Sequence, residues 1–262
     1  MSTLLVHNSL FWRYNGAIAS SWYMCGDEGT SAMRQAHLRW CEKEKCDTVM
    51  LNMNNEEMMS LFRNGYMREL DLEKCDVFMA YVRLIAQLGG KVVPVFFDGP
   101  AIPGAKYHPI VASWHLHEAF IAAACTALNP YVRAYIIGCE TNRYFSVEQV
   151  EELVRVTKKY CGLHPVGTHE QSVGKRDGKW VLHRRIPSNL DFYGYETSNH
   201  PADGDQRSPE DMAEEVQFLV SQCQGKPVWV MEHNLNADGA ISRSQARAMA
   251  AIPGVYGIGG PM

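Results

Sequence analysis

The 262-residue sequence lacks three features that would each point to a particular class of protein. No run approaches the roughly 18 consecutive apolar residues that a membrane-spanning helix needs, so no membrane contact is expected. No basic run of five or more residues occurs and the formal net charge is −4, so nucleic acid is not expected as a partner. The N-terminus lacks a secretory signal, which predicts a cytoplasmic location as synthesised and leaves other export routes open.

Cysteine pairs of the CxxC type are also missing, although the sequence contains eight cysteines. Zinc sites built on cysteine need closer spacing than these residues have. Several cysteines lie in apolar runs, among them Cys125 and Cys139, so the eight are predicted to be reduced and mostly buried. The sequence therefore predicts neither a cofactor nor a bound metal, and it leaves the oligomeric state open.

What the sequence does contain is an alternation of short β-rich runs with longer amphipathic stretches. This alternation is typical of a parallel sheet whose strands are joined by crossover helices. The runs are apolar throughout, as in strands buried on both faces, and about eight of them occur, the number that closes a barrel. The predicted strands are 3–8, 48–53, 91–97, 134–139, 164–169, 190–195, 227–232 and 255–258. The predicted helices are 31–45, 70–88, 109–128, 147–160, 209–222 and 243–250.

Start signals support several of these helices, and two places break the alternation. Ser146 begins a capping box, and Ser208 precedes a proline at the first helical position. The 171–189 segment carries an Asp-Gly turn between β-type flanks, which predicts a hairpin or loop in place of the fifth helix. The sequence ends directly after the eighth strand, so the last outer helix is predicted to be absent.

These patterns predict an α/β protein with one irregular (β/α)8 TIM barrel, forming a single catalytic domain over residues 1–262. The main structural alternative is a doubly wound open sheet. Neither a GxGxxG motif nor a P-loop follows the first strand, and this absence disfavours the nucleotide-binding forms of the open sheet.

Polar residues end the predicted strands, and the carboxyl ends of barrel strands carry the active site. Carboxylates, imidazoles and amides dominate there, and no lysine follows a strand directly. This composition favours a neutral polyhydroxyl substrate, a carbohydrate, over phosphate esters or Schiff-base chemistry. Besides the two glutamates described next, the strand-end residues expected to bind substrate are Asn54, Asp98, His169, Tyr193, Tyr195 and Glu196.

Glu140 and Glu232 stand out because an apolar strand leads straight into each of them. By the two-residue period of a strand, Glu140 shares a face with Ile136 and Glu232 shares a face with Val230, so both are predicted to project inward. Strands four and seven are nearly opposite in an eight-strand barrel, so the two side chains would flank a bound sugar. Glycoside cleavage needs such a pair, because one carboxyl group protonates the leaving oxygen while the other attacks or activates water.

With these glutamates at the ends of strands four and seven, the chain resembles the barrel superfamily of retaining glycoside hydrolases called clan A. The resemblance covers most of the chain as architecture but only a few residues as motif. It implies that Glu140 is the general acid/base and that Glu232 is the nucleophile. It also implies that Tyr195 or Tyr193 donates a hydrogen bond to that nucleophile.

The sequence departs from the clan at two positions. The residue before the acid/base is usually Asn but is Cys139 here, with Asn142 close by as a candidate sugar contact, and the usual Trp after strand eight is missing. Trp12 and Trp114 are candidate platforms on which sugar rings stack. The small barrel is consistent with a cell-wall or phage-type lytic hydrolase that degrades a poly- or oligosaccharide.

Two other functions stay open on the sequence. His7, Asp98 and His169 could converge with the two glutamates on a cation, as in a metal-dependent barrel hydrolase or isomerase. The barrel could also bind glycans, or a protein partner, without catalysis. The sequence leaves open which sugar and linkage are recognised, whether cleavage is endo or exo, and whether the anomeric configuration is retained or inverted.

Overall fold

Eight parallel strands dominate the computed structural model, which describes residues 4–8, 48–53, 76–87, 89–98, 117–197, 207–233 and 239–260. With two hairpin strands, β6 and β7, the strands are β1 (Leu4–Asn8), β2 (Thr48–Asn52), β3 (Lys91–Asp98), β4 (Tyr135–Cys139), β5 (Val166–Glu170), β6 (Val173–Arg176), β7 (Lys179–Leu182), β8 (Phe192–Glu196), β9 (Val228–Glu232) and β10 (Val255–Gly260). The α-helices of the described residues are α1 (Asp76–Gln87), α2 (His117–Leu128), α3 (Val147–Tyr160), α4 (Pro209–Gln222) and α5 (Gly239–Ala250).

The parallel strands close on themselves in the order β1-β10-β9-β8-β5-β4-β3-β2. β1 completes the ring, because its Val6 pairs with Gly259 of β10 on one side and with Thr48 of β2 on the other. Parallel strands in a closed ring, alternating along the chain with helices, form a (β/α) barrel. The predicted barrel is therefore confirmed, and the open doubly wound sheet is wrong.

Two apolar clusters account for the continuous apolar character of the strands. The inner cluster contains strand residues and the flanking Ala134, with no helix residue, and includes Phe192 and Trp229, whose rings stack 4.4 Å apart. The outer cluster joins strand residues such as Phe96 to helix residues such as Phe120 and Met212. Among the strands whose side chains are described, β2, β3, β4, β8 and β9 contribute residues to both clusters. These strands are thus buried on both faces, which removes the apolar–polar alternation of a half-exposed strand.

The helix start signals operate as predicted. Ser146 caps α3 in a full capping box, with its Oγ accepting from the Gln149 amide at 3.2 Å and its own amide donating to the Gln149 side chain at 2.8 Å. Ser208 caps α4, where its Oγ accepts from the Asp211 amide at 3.1 Å and Pro209 takes the first helical position. The predicted helix 243–250 begins earlier, because α5 starts at Gly239.

An antiparallel hairpin stands between β5 and β8, where a regular barrel would have its fifth helix. β6 and β7 pair from Val173 to Leu182 around a turn in which Asp177 and Gly178 have φ values of 51° and 75°. Two consecutive positive φ angles are typical of a type I′ hairpin turn, so the Asp-Gly signal is confirmed. Arg184, which follows β7, forms an ion pair with Glu170 at the end of β5 and thereby fastens the hairpin to the barrel wall.

Some predictions fall outside the described residues. The predicted helix 31–45 lies there entirely, as do positions 70–75 and 109–116 of two other predicted helices. The predicted absence of a last outer helix also stays a prediction, because the description ends with β10. Within the described ranges, no helix combines the length and apolar character needed to cross a membrane. Cys125, Cys139, Cys161 and Cys223 are buried free thiols, as predicted.

Candidate active site

Glu140 follows β4, at the point where the backbone leaves the sheet. Its φ of 48° lies in the left-handed region, and a 3₁₀ turn, Thr141–Arg143, comes next. Nη2 of Arg143 is 2.5 Å from Oε1 of Glu140, whose side chain is 13% exposed. A non-glycine residue in this conformation costs roughly 1–2 kcal/mol and persists only where its surroundings enforce it, a condition that recurs at active sites.

Glu232 ends β9 and lies beside two other predicted site residues. Its Oε2 is 3.7 Å from Nε2 of His169, and the same imidazole nitrogen is 3.9 Å from Oε2 of Glu196. All three side chains are buried. His169 belongs to β5 and Glu196 to β8, so three adjacent strands bring these groups together at the carboxyl end of the barrel, which we call the mouth.

A β-bulge, rather than simple alternation, brings Glu232 to this position. Val230 lies in the outer cluster and Met231 in the inner one. Val230 pairs with Tyr195 of β8, whereas Glu232 pairs with Glu196, the next residue of β8. One extra residue in β9 therefore restores the inward phase, as a bulge does, and the prediction that Val230 and Glu232 share a face is wrong.

The phase prediction for β4 is also wrong. Ile136 lies in the inner cluster as expected, but the next strand residue to join that cluster is Cys139. Gly138 points away from that cluster. A Cβ atom there would lie 2.4 Å from the carbonyl oxygen of Phe97 and 3.0 Å from the Tyr144 hydroxyl on the turn that follows β4. The left-handed turn at Glu140, and not strand alternation, therefore sets the direction of that side chain.

Tyr193 belongs to a buried polar cluster behind the mouth. Its hydroxyl donates to Oε2 of Glu170 at 3.0 Å and also hydrogen-bonds Ser172. Glu170 additionally accepts from Thr141 Oγ1 at 2.7 Å and from Arg184 Nε at 3.1 Å. Burial, reinforced by the negative charge of Glu170, raises the pKa of Tyr193 well above its ordinary value, so the phenol stays a neutral donor.

Tyr195 lies two residues along β8 from Tyr193, so both side chains are on the outer face of the strand, and both belong to the outer cluster. Its hydroxyl donates to Glu215 of α4, and Nη1 of Arg207 is 2.5 Å from the other oxygen of that carboxylate. Burial raises the pKa of Tyr195 well above its ordinary value. The structure thus gives both tyrosines carboxylate partners other than Glu232, the nucleophile that the resemblance implied.

Asn142 links the ends of two strands. Its Nδ2 donates to the carbonyl of Gln171 at 3.0 Å, and its Oδ1 accepts from the Gln171 amide at 3.2 Å. These bonds tie the turn after β4 to the segment after β5. The amide that was predicted to contact sugar therefore holds the local backbone of the mouth.

Four predicted substrate contacts lie wholly or partly outside the description. Trp12, Asn54 and Trp114 are outside the described residues. Asp98 is described in its backbone, which pairs with Cys139 in the sheet, so Asp98 belongs to the same end of the barrel as the mouth residues.

Two contacts at the mouth are missing from the sequence predictions. The Cys139 thiol, a His169 nitrogen and a Glu232 oxygen all lie within 4.8 Å of one another, a donor set that could hold a metal ion. Counting alternation back from Glu140 put Cys139 on the wrong face, and no sequence signal marks the change of phase. The Arg143 contact had a signal, because a charged residue three positions on reaches back across a helical turn.

Comparisons with known proteins agree with this architecture. No protein-family model matches the sequence, and no curated protein is similar to it. Among solved structures, the apo structure of a β-glucosidase 1317 matches with a TM-score of 0.64 and 11% identity, covering 89% of this chain and 77% of that one. A family 1 β-glucosidase from Thermotoga maritima matches with a TM-score of 0.59 and 7% identity, covering 99% and 88%. At such identities the similarity establishes that this chain has the barrel fold of these glycosidases.

Proposed function

We propose that this protein is a glycoside hydrolase in which Glu140 is the general acid/base and Glu232 is the nucleophile. The observation that carries the proposal is that Glu140 follows β4 and Glu232 ends β9 at one end of a closed parallel barrel, the end at which barrel enzymes build their active sites. The fold shared with β-glucosidases supports it.

In the proposed reaction, a carboxylate oxygen of Glu232 attacks the anomeric carbon while the bond to the leaving oxygen breaks. Glu140 gives its proton to that oxygen, which departs as an alcohol. Water then attacks the glycosyl–enzyme ester, and Glu140 takes the proton that the water loses. His169 acts as a positioning residue for Glu232, from which its Nε2 is 3.7 Å away.

The backbone strain and the ion pair at Glu140 fit this assignment. The left-handed turn fixes the direction of the Cα–Cβ bond of Glu140, and Arg143 forms an ion pair with the Glu140 carboxylate. The Arg143 side chain is 56% exposed, so it is free to move aside when a sugar enters. We expect substrate binding to replace the arginine contact, after which Glu140 can carry the proton that the leaving oxygen needs.

A neutral β-glycoside is the substrate class that we propose to test first. Solved structures with this fold are named as β-glucosidases, and the mouth presents carboxylates and an imidazole. Glu196 and Asp98 are the proposed partners for sugar hydroxyls, and Trp12 and Trp114 are the proposed stacking platforms. Cleavage of a cell-wall or other poly- or oligosaccharide is the wider proposal, with Asn54 lining its sugar path and Asn142 holding the backbone beside that path.

The test compares wild type, Glu140→Gln and Glu232→Gln on a panel of aryl β-glycosides and natural disaccharides. Loss of the general acid should lower kcat by about 10²–10⁴-fold on disaccharides and much less on aryl glycosides with acidic leaving groups, which need no protonation. Glu152→Gln, on the exposed face of α3, is the matched control and should retain full activity. Full activity in both mouth variants would refute the carboxylate pair.

Two further measurements separate the alternatives. Proton NMR of the first product should show retention of anomeric configuration, as a nucleophilic Glu232 requires. Treatment with a metal chelator should not lower turnover, whereas loss of turnover would favour a metal-dependent hydrolase. Sugar binding without turnover in the wild type would favour a non-catalytic glycan-binding barrel.

A further inference from the structure

Three chemically different donor atoms converge at the mouth from strands that are far apart in the sequence. Cys139 comes from β4, His169 from β5 and Glu232 from β9, and their donor atoms all lie within 4.8 Å of one another. Each of the three residues is at most 8% exposed. A buried thiol, imidazole and carboxylate grouped at this spacing differ in kind from a cluster of surface acids.

The spacing of these donors suits a small tetrahedral ion. Zinc bonds of about 2.0–2.3 Å place neighbouring donor atoms roughly 3.3–3.8 Å apart. His169 Nε2 and Glu232 Oε2 are 3.7 Å apart, within that range. The thiol joins them within 4.8 Å, so side-chain shifts of about 1 Å complete the three-ligand arrangement typical of zinc sites with an open position.

The chemistry and charge of the donors select the kind of ion. Thiolate and imidazole are soft or borderline ligands that favour zinc over magnesium or calcium, which prefer oxygen donors. A thiolate and a carboxylate together carry two negative charges, which a divalent cation cancels. This balance matters because an uncompensated charge in a buried site is costly. Glu196, whose Oε2 is 3.9 Å from Nε2 of His169, supplies a further carboxylate oxygen beside these donors.

We propose that Cys139, His169 and Glu232 bind one zinc ion in the reduced protein, and that bound zinc inhibits glycoside cleavage by occupying Glu232. The inhibition rests on the proposed function, because a carboxylate that coordinates a metal cannot attack an anomeric carbon. The binding itself stands on the donor geometry alone. Metal occupancy and cleavage are thus alternative uses of one side chain.

Cobalt(II) is the probe for binding, because thiolate coordination gives it a charge-transfer absorption that carboxylate or imidazole ligands do not produce. Titration of the reduced full-length protein should develop this band with one equivalent. Cys139→Ser should lose it, and Cys161→Ser, at the buried thiol that follows α3 at the opposite end of the barrel, should keep it. A wild type without the band, or a band that persists in Cys139→Ser, would overturn the site.

Zinc inhibition of aryl glycoside hydrolysis is the second measurement. Loss of a supporting partner outside the coordination sphere already costs about 10–100-fold in metal affinity, so loss of a direct ligand should raise the half-inhibitory zinc concentration by at least as much. Cys139→Ser and His169→Gln are the two ligand variants for this measurement, and circular dichroism verifies that each is folded. Cobalt binding without zinc inhibition of an active enzyme would overturn the regulatory half. If the wild type hydrolyses no glycoside, the proposed function fails while the cobalt experiment still decides the metal site.

Discussion

Two pairs of buried glutamates lie in or against the barrel wall, and they differ in what surrounds them. Glu170 and Glu215 each contact an arginine and a tyrosine hydroxyl. Glu196 and Glu232 instead both lie near one imidazole nitrogen, Nε2 of His169, at 3.9 and 3.7 Å. The first pair lies between the strands and the outer elements, and the second pair lies at the mouth.

The difference separates a structural use of a buried carboxylate from the chemical use that we propose. Arginine and phenol donors anchor Glu170 and Glu215 through charge-assisted hydrogen bonds, which join a strand to its hairpin or helix. At the mouth, by contrast, one imidazole nitrogen lies 3.9 and 3.7 Å from two carboxylates, a set of groups that we propose acts on a ligand. Burial alone therefore does not distinguish the glutamates of the proposed active site; the chemistry of their neighbours does.

The test with the largest expected effect replaces one glutamate of each pair by glutamine. Glu232→Gln should lower kcat by roughly 10⁴-fold or more, as removal of a nucleophile does, with the free energy of unfolding changed by about 1 kcal/mol or less. Glu170→Gln should instead lower the free energy of unfolding, because the partly buried Arg184 loses its charged partner. Steady-state kinetics and urea denaturation measure the two effects.

The reverse pattern would contradict the comparison. If Glu232→Gln unfolded the protein while Glu170→Gln removed activity alone, the pair with arginines would be the functional one. Glu196→Gln provides an intermediate case, since its partner His169 is shared with Glu232 but its proposed role is to contact sugar. We expect that variant to raise KM more than it lowers kcat.

Two adjacent arginines allow a sharper test of the structural pair. Arg184 is 16% exposed and pairs with the fully buried Glu170, whereas Arg185 is 51% exposed and pairs with Glu148 and Glu151. Arg184→Met should cost about 3–5 kcal/mol of stability, because it leaves a buried charge without its partner. Arg185→Met should cost about 0–1 kcal/mol, as surface ion pairs do. Equal losses in urea denaturation would show that the hairpin contact is no stronger than a surface pair.

Local signals were sufficient to predict the fold. The apolar runs identified all eight barrel strands, the serine caps located α3 and α4, and the Asp-Gly turn located the hairpin. Each of these features depends on residues close together in the chain, and so it can be read from a single sequence. The barrel followed from their number and order, because parallel strands with crossover helices have few ways to close.

The site was predicted less completely because the phase of a strand end depends on distant pairing. The register shift that turns Glu232 inward arises between β8 and β9, which are more than 30 residues apart and show no sign of it in their composition. For the same reason the sequence did not predict that Cys139 points inward or that Tyr195 points outward. The partner of Tyr195, Glu215, lies on a helix further along the chain. Strand-end position could therefore be predicted, while side-chain direction could not.

The smallest expected change in stability concerns Glu151. Like Glu170 and Glu215 it accepts hydrogen bonds from an arginine, but its side chain is 22% exposed. Its carboxylate accepts from Arg185 Nη1 at 2.7 Å and from the Ser188 amide at 2.8 Å, and these bonds lower its pKa to about 2. Because the folded-state pKa lies below the ordinary value of 4.5, the contribution to stability is present above pH 4.5 and is lost as the pH falls towards 2.

Glu151→Gln should therefore flatten the dependence of unfolding free energy on pH across that acid window, while changing stability at neutral pH by about 1 kcal/mol or less. Glu214→Gln, at an exposed position of α4, is the matched control and should leave the acid slope as in the wild type. An unchanged slope in Glu151→Gln would mean that Arg185 and Ser188 hold the carboxylate equally in the unfolded chain. A large loss at neutral pH would erase the distinction between exposed and buried pairs, because the same donors would then stabilise a carboxylate whether or not water reaches it.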